Sequence, residues 1–374
     1  MRPVIAVDAR YGLRSPRRGV GEYVYQVMKA LKDRDRPYDL VLYGDASHDA
    51  ATVAEMRQWY EVRIVKAPNF FLWEQSAFPR ASAAADLVHG TANIAPLWGS
   101  VPQILTIHDV IEWHRGRDFP SKIPMRHHLS RFYRMNALKR LAPRAREILT
   151  VSHHAKADIL EVLGVDPDRI QVSPLAGKYP IRQEPRTQTG GEPRYLLTLG
   201  ALDPRKNLVA VLRGFAAVKG HDLVLRVVGV EERGRAALAA LVKSYGLESR
   251  VQVESMVSDT VLQGLYRDAL AFIYLSRYEG FGLPLLEAMS QGCPVIYANE
   301  SSLPEVAGPA GVACSPHDKG AIAAEILRLA DDPDYRWDQQ WAGLRRARDF
   351  SWDLTAVKTH EGYMRALGAK VGER

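Results

Sequence analysis

Short apolar, β-branched runs alternate with amphipathic helical segments along most of this chain. Strands that alternate with helical crossovers predict parallel sheets covered by helices, which places the chain in the α/β class. The candidate strands form two series, and the chain of 374 residues is long enough for two domains. The predicted strands are residues 4–7, 39–43, 62–65, 87–89, 103–107 and 148–151, and then 195–199, 223–228, 251–253, 272–275, 294–296 and 311–313.

A stretch rich in proline and glycine, with little apolar periodicity, separates the two series and is typical of a linker. We expect an N-terminal domain over residues 1–176, a linker over 177–193 and a C-terminal domain over 194–349. Residues 350–374 are predicted to form a helix that packs back towards the N-terminal domain. Ligands of open parallel sheets bind beyond the carboxyl ends of the strands, so two such domains predict an interdomain cleft.

Composition excludes several classes of protein. No apolar run approaches the roughly 18 residues that span a bilayer, and no signal-peptide pattern precedes the first strand. Two cysteines, Cys293 and Cys314, form no disulfide framework, so we expect a cytoplasmic protein. The net charge of +7 favours anionic partners, although an arginine-rich solvated surface explains it equally well.

The segment from Phe272 to Gly292 has the most informative pattern. A buried strand ends near Ser276, a loop with two glycines follows, and Pro284 stands at the expected first position of a helix that stops at Gly292. Glycines before a helix leave backbone N–H groups open, and the helix end has partial positive charge. The segment therefore predicts an anion site suited to a diphosphate.

Two carboxylates belong to the same segment, Glu279 in the loop and Glu287 about one turn into the helix. Carboxylates accept hydrogen bonds from paired sugar hydroxyls, and two of them could hold a transferred sugar and a ribose. From spacing alone, a structural role at the helix entrance is an equally good interpretation.

The pattern Ser276-x-x-Glu279-Gly-Phe-Gly-Leu-Pro-x-x-Glu287-Ala-Met resembles the signature of the retaining glycosyltransferases of family 4, which have the GT-B fold of two Rossmann-like domains. The resemblance implies that Glu279 contacts the donor hexose near the reaction centre and that Glu287 holds the ribose hydroxyls. The other donor-binding residues that it implies in this segment are Ser276, Phe281, Gly282 and Leu283.

A pair of cations, Arg205 and Lys206, follows a strand and precedes a helix. On residue type alone a solvated turn is the better interpretation, but two cations at this place can also bind a diphosphate. The resemblance favours the diphosphate, with Lys206 at the position of the family lysine. Many members have arginine directly after the glycine, where this chain has Ala201, and Arg205 is expected to replace it.

A glycine loop, Gly19-Val20-Gly21, opens a helix after the first strand. A lone Gly-x-Gly is a weak signal and serves equally well as a turn. It also resembles the bacterial polysaccharide mannosyltransferase branch of the family, in which this loop lies against the donor phosphates and the acceptor.

His108 and Asp109 end another predicted strand. A single histidine is more often structural, but an ordinary histidine titrates near neutral pH and could position a hydroxyl. In the family, a histidine at this strand end lies near the transferred sugar, so the resemblance implies that His108 belongs to the site. Asp109 is expected to order the acceptor or the histidine.

No metal or other cofactor is expected. Three Asp-x-Asp triples, at residues 33–35, 166–168 and 332–334, lie in charged turns and none directly follows a buried strand. We interpret them as structural.

Residues 122–146 are strongly basic, with aromatic and aliphatic residues between the cations. Three interpretations stay open: a peripheral helix that meets anionic lipid and a lipid-linked acceptor, a nucleic-acid site, and a solvated helix. Under the first interpretation, a cytoplasmic protein makes peripheral contact with the inner face of the membrane.

The combined prediction is a retaining, metal-independent hexosyltransferase that uses a nucleotide-sugar donor, with GDP-mannose favoured, and a glycan or lipid-linked glycan acceptor. A sugar-nucleotide epimerase of the same fold is one alternative. A non-catalytic nucleic-acid-binding protein is a weaker one, and no nucleic-acid partner is expected.

Overall fold

The computed structural model describes residues 1–115, 125–185, 195–200 and 203–368, with the backbone alone for 125–127. The predicted linker beyond residue 185, Ala201 and the start of the basic segment lie outside the described residues. The described chain divides into two compact units. Unit 1 contains residues 1–114, 125–175 and 351–368, and unit 2 contains 115, 176–185, 195–200 and 203–350.

Unit 1 is built on a seven-stranded sheet in the order β3-β2-β1-β4-β5-β6-β7. Every neighbouring pair is parallel. The strands are β1 Val4–Asp8, β2 Asp39–Gly44, β3 Glu61–Ile64, β4 Leu87–Gly90, β5 Gln103–Ile107, β6 Glu147–Thr150 and β7 Ile170–Val172. The helices before residue 175 are α1 Val20–Leu31, α2 Ala50–Met56, α3 Phe70–Leu72, α4 Phe78–Ala81, α5 Ile111–His114, α6 Met125–Leu141 and α7 His153–Leu163.

Unit 2 repeats this architecture with a six-stranded parallel sheet in the order β10-β9-β8-β11-β12-β13. Its strands are β8 Tyr195–Leu199, β9 Val224–Val228, β10 Val251–Val253, β11 Ala271–Tyr274, β12 Val295–Ala298 and β13 Val312–Cys314. Its helices are α8 Leu208–Ala217, α9 Glu232–Ser244, α10 Asp259–Asp268, α11 Leu283–Ser290, α12 Leu303–Ala307, α13 Lys319–Asp331 and α14 Pro333–Ala347. The prediction of two doubly wound parallel sheets is confirmed.

The last helix, α15 Trp352–Ala366, belongs to unit 1 and packs against α1, β5, β6 and β7. Ser351 caps it by accepting a hydrogen bond from the Leu354 backbone N–H. Gly362 lets it lie close to the sheet, because a Cβ there would stand 2.8 Å from Leu149 Cδ2.

Both sheets bury apolar residues on β1, β5, β6, β8, β11 and β12, which is typical of parallel strands covered on both faces. Such strands are easy to recognise as apolar runs. Strand β7 was not predicted, because its three residues Ile170–Val172 include the partly buried polar Gln171 and are too short for periodicity.

Candidate functional site

The central strands of unit 2, β8 and β11, lie side by side, and the chain leaves them towards opposite edges of the sheet. Their carboxyl ends therefore mark the topological switch point, where ligands of open α/β sheets bind. Residues 203–206 follow β8, and residues 275–282 follow β11. Six predicted site residues lie on these two connections: Arg205, Lys206, Ser276, Glu279, Phe281 and Gly282.

Arg205 and Lys206 are held by a short 3-10 turn over Pro204–Lys206. Asp203 caps the turn, because its side chain accepts from the Arg205 backbone N–H at 2.9 Å. The Arg205 carbonyl in turn accepts from the Arg277 backbone N–H at 2.8 Å and from Ser276 Oγ at 3.2 Å. These two bonds tie the connections together and fix the backbone position of Arg205, which precedes Lys206.

Glu279 is the centre of the group and is only 8% exposed. Its Oε1 accepts from Lys206 Nζ at 2.8 Å, from Tyr274 Oη at 2.8 Å and from Ser276 Oγ at 2.6 Å. Its Oε2 accepts from an Arg205 guanidinium nitrogen at 3.2 Å. Lys206 Nζ also donates to Tyr274 Oη at 2.6 Å. The sequence predicted the cations and the carboxylate but did not identify Tyr274, because this residue belongs to the apolar strand β11.

Burial alone would raise the pKa of Glu279, but the charges of Lys206 and Arg205 and the hydrogen bonds outweigh it and lower this pKa to about 2. Burial also lowers the pKa of Lys206, and the charge of Glu279 opposes that shift. Glu279 is therefore ionised at neutral pH and pairs with both Lys206 and Arg205, and Asp203 Oδ2 lies 3.6 Å from the Arg205 Nε. Such a group is suited to binding an anion.

Two serines that follow β12 hold the loop that contains Glu279. The Glu279 backbone N–H donates to Ser301 Oγ at 3.1 Å. Ser302 Oγ lies 2.9 Å from the Glu279 carbonyl and 2.7 Å from the Phe281 carbonyl. Ser301 has a φ of 54°, which is rare for a residue with a side chain. No role was predicted for Ser301 or Ser302, although their segment follows a buried strand and resembles a loop of the family.

Helix α11 starts directly after this loop. Gly282 is its N-cap with a φ of 108°, and Leu283 and Pro284 are its first two residues. Pro284 thus stands one position later than the predicted first position. A Cβ at Gly282 would lie 2.8 Å from Leu303 Cδ2, so both backbone angle and space favour glycine. Phe281 packs edge-to-face against Phe350, with the ring centres 5.7 Å apart, and is buried.

Glu287 lies in α11 and is 9% exposed. Its backbone runs past Gly177, where a Cβ would stand 3.9 Å from Glu287 Cα and Cγ. Burial raises the pKa of the neighbouring Tyr266 well above its ordinary value, and the negative charge of Glu287 adds to that shift. The ribose role of Glu287 stays a prediction.

In unit 1, a buried ion-pair network follows β1. Arg10, which is fully buried, donates to Asp8 at 2.9 and 2.6 Å and to Glu74 Oε2 at 3.3 Å. The guanidinium carbon lies 4.2 Å from the Phe70 ring centre and 3.9 Å from that of Trp73. Glu74 belongs to a π-helical turn over Trp73–Ala77. The network fixes the carboxyl end of β1.

His108 follows β5 and is 8% exposed. Its backbone N–H donates to Asn93 Oδ1 at 2.7 Å, and its ring Nε2 lies 2.9 Å from the Thr91 carbonyl. Since a carbonyl only accepts, Nε2 must carry the proton, and Nδ1 of the neutral ring is an acceptor. Burial lowers the pKa of His108 to about 4, outweighing the bond to Thr91. The expectation of a histidine that titrates near neutral pH was therefore wrong.

The other predicted residues of unit 1 have local structural functions. Asp109 Oδ1 accepts from the Ile111 backbone N–H at 3.2 Å, at the start of α5. Gly19 has a φ of 49° and precedes Val20, the first residue of α1. Gly21 lets α1 lie close to the connection that follows β1, since a Cβ there would stand 2.8 Å from the Tyr11 carbonyl oxygen. Their roles in binding donor or acceptor stay predictions.

The described residues contain no group of three or more histidine, cysteine, aspartate or glutamate side chains that could hold a metal ion. Two of the Asp-x-Asp triples form caps. Asp166 accepts from the Asp168 backbone N–H, and Asp332 accepts from that of Tyr335. Within the described part of the chain, no helix is both long enough and apolar enough to cross a membrane.

Comparisons with known proteins agree with this architecture. The model of Glycosyltransferase Family 4 matches residues 17–176, and that of Glycosyl transferases group 1 matches residues 181–343. An O-antigen chain mannosyltransferase B of Escherichia coli is 34% identical over 59% of this chain and 60% of its own length. The MMP alpha-(1->4)-mannosyltransferase of Mycolicibacterium hassiacum is 32% identical over 61% of this chain and 56% of its own length. Each match thus spans less than two thirds of the relative.

A solved structure covers nearly the whole chain. The sucrose-phosphate synthase of Thermosynechococcus elongatus superposes with a TM-score of 0.75 at 19% identity, over 99% of this chain and 100% of its own. At that identity the likeness shows the fold alone, and the fold is GT-B. The two family models together match most of the chain, which therefore belongs to glycosyltransferase family 4.

Proposed function

We propose that this protein transfers a hexose from a nucleotide sugar to a glycan or lipid-linked glycan acceptor in bacterial polysaccharide or glycoconjugate synthesis. GDP-mannose is the favoured donor and UDP-hexoses come next. Transfer retains the anomeric configuration and uses no metal cofactor. The observation that carries the proposal is the group of Arg205, Lys206 and Glu279 at the switch point of unit 2. The mannosyltransferase names of two relatives support the choice of sugar.

The donor diphosphate has more negative charge than the one carboxylate that now pairs with both cations. In the proposed complex the phosphate oxygens bind Arg205 and Lys206, with charge-assisted hydrogen bonds of about 1.5–3 kcal/mol each. Glu279 is then released from part of its hydrogen bonding and accepts from hydroxyls of the transferred sugar. Glu287 holds the ribose in the same proposal.

The low pKa of Glu279 bears on the mechanism. Before the donor binds, Lys206 and Arg205 hold the pKa of Glu279 at about 2, so this carboxylate is a weak base and holds no proton to donate near neutral pH. In the proposed mechanism the acceptor hydroxyl attacks on the same face as the leaving group, and its proton passes to the leaving diphosphate oxygen. Arg205, Lys206 and the backbone N–H groups before α11 stabilise the charge that develops on that oxygen. The parts assigned to His108 and Asp109 near the sugar stay predictions.

Contact with anionic lipid at the inner face of the membrane, through residues 122–146, completes the proposal. The cations Lys139, Arg140 and Arg144 are exposed and form no ion pair with any residue that the structure describes. Such cations are attracted to an anionic surface, whose lipids would carry the acceptor.

A calorimetric screen of GDP-, UDP-, ADP- and dTDP-sugars tests the proposal, with Glu287→Ala as the matched variant. We expect binding of one nucleotide class, weaker binding of its free diphosphate by Glu287→Ala, and release of that diphosphate only when an acceptor is present. Failure to bind any nucleotide sugar would contradict the proposal. Release of altered sugar from donor alone would identify an epimerase instead.

A further inference from the structure

Unit 1 exposes an unusual group of large apolar side chains. Phe71 is 45% exposed, Leu72 39%, and Leu129 and Phe132 are each 69% exposed. We call these four residues the apolar patch. Soluble proteins rarely leave several large apolar side chains together in water, and where they do, the surface commonly binds a partner or a membrane.

The patch comes from two segments that touch. Leu129 and Phe132 are three residues apart on α6 and so share one helix face. Phe71 lies in α3, and its ring centre is 5.4 Å from that of Tyr133 on α6, in an edge-to-face arrangement. Gln75 strengthens the junction, because its Nε2 donates to Tyr133 Oη at 2.8 Å.

A third exposed aromatic residue is joined to the same junction. Gln75 Oε1 accepts from the Leu97 backbone N–H at 2.7 Å. The next residue, Trp98, is 61% exposed. Aromatic residues of this kind are enriched where a protein meets the membrane interface.

Helix α6 does not need Leu129 and Phe132 to stay attached to unit 1. The helix already places Ala137, Leu138 and Leu141 in the core of unit 1. Arg131 and Arg134 attach it further through bonds of 2.6 Å to Glu112. The apolar side chains at positions 129 and 132 are therefore additional to what holds the helix in place.

Free positive charge continues along the same helix. Lys139 and Arg140 lie seven and eight residues beyond Phe132, which is about 11 Å along the axis at 1.5 Å per residue. Both are exposed and have no ion-pair partner among the described residues. An apolar surface next to unpaired cations matches a bilayer interface, with acyl chains below anionic headgroups. A purely apolar partner would leave these cations unmatched.

We propose that the apolar patch inserts into the interface of an anionic lipid bilayer while Lys139 and Arg140 bind its headgroups. This inference goes beyond adsorption of a basic segment, since it assigns the anchoring to apolar side chains on two segments, one of them outside residues 122–146. The docking surface contains none of the proposed donor residues, so its test needs no nucleotide.

Co-sedimentation with phosphatidylcholine vesicles, with and without phosphatidylglycerol, tests the inference on the full chain. The double variant Phe71→Ser/Phe132→Ser should bind the anionic vesicles at least about tenfold more weakly than the unaltered chain. High salt should weaken the binding of the unaltered chain without abolishing it, because insertion of apolar groups is not screened. The charge variant Lys139→Glu/Arg140→Glu should lose the preference for anionic vesicles.

The matched control is Val209→Ser/Val261→Ser, which replaces two exposed apolar residues of unit 2 that are 41% and 48% exposed. It should bind vesicles as the unaltered chain does. As a second measurement, the Phe132→Trp substitution should add tryptophan fluorescence that brominated acyl chains quench. This measurement does not depend on whether the serine variant folds.

Three results would overturn the inference. The first is equal vesicle binding by the unaltered chain and the Phe71→Ser/Phe132→Ser variant, with each keeping its unfolding temperature. The second is no quenching of the fluorescence that the Phe132→Trp substitution adds. The third is a dimer of the unaltered chain that the double serine variant dissociates while vesicles go unbound, which would assign the patch to a second copy.

Discussion

At the carboxyl ends of β8 and β11, Lys206 donates to both Glu279 and Tyr274 from a largely buried position. Lys206→Ala should lower kcat/KM for the donor at least about tenfold, since one charge-assisted hydrogen bond contributes more than about 1.4 kcal/mol. Steady-state kinetics with the donor found in the screen measures this. Lys243→Ala, on the exposed last turn of α9, is the control and should keep full activity. Unchanged kinetics of Lys206→Ala would remove this lysine from the donor site.

Two buried histidines in unit 1 give a dependence of stability on pH. Burial lowers the pKa of His89 to about 3 and that of His108 to about 4, and the charge of His108 contributes to the shift of His89. Between pH 6.5 and these values the unfolded chain binds more protons than the folded one, so stability falls as the pH falls. From pH 6.5 to pH 5, each histidine should cost about 2 kcal/mol of the free energy of unfolding.

Chemical denaturation at several pH values measures that slope. His89→Gln retains hydrogen-bonding groups for Tyr363 and Thr106 and should reduce the loss of stability over this range by about half, since His108 remains. A dependence that is equally steep in His89→Gln would show that His89 is not responsible.

At the scale of elements, the connection after β12 supports the loop before α11. The Ser302 hydroxyl, which is fully buried, lies within hydrogen-bonding distance of the carbonyls of Glu279 and Phe281. Ser302→Ala removes the hydroxyl that donates to these carbonyls, so the loop should move and nucleotide binding should weaken several-fold, a loss of about 1 kcal/mol. Calorimetry on Ser302→Ala and Ser302→Thr measures it, and the threonine variant should retain the bond. Equal affinity of Ser302→Ala and the unaltered chain would argue against this support.

The bounds of the strands and helices show which of them local sequence patterns can predict. Apolar runs located the long strands because those strands are buried on both faces, whereas the three-residue β7 has no periodicity to read. Helix α11 begins one residue earlier than the glycines and Pro284 indicated. That position depends on how the loop is held by Ser301 and Ser302, which are about twenty residues further along the chain.

At the scale of the whole molecule, unit 1 is assembled from both ends of the chain. Helix α15 buries Thr355, Thr359 and Tyr363, and Tyr363 Oη lies 2.8 Å from His89 Nδ1. A fragment of residues 1–175 should therefore fail to fold cooperatively, because it exposes the sheet face under α15. A fragment of residues 176–350 should fold and bind the nucleotide. Thermal melting by circular dichroism tests both, and addition of a peptide of residues 351–368 should restore the first. Cooperative melting of 1–175 alone would contradict this.

The amino-acid sequence by itself determined the fold class, the family and the identities of Arg205, Lys206, Glu279 and Glu287. These are read from apolar runs and from a contiguous motif, and both are local properties. Only the tertiary structure decided that Glu279 pairs with both cations and has a pKa of about 2, that His108 is neutral, and that Phe71 adjoins α6. Each of these depends on burial or on contact between residues distant in the chain, and spacing along a sequence contains neither.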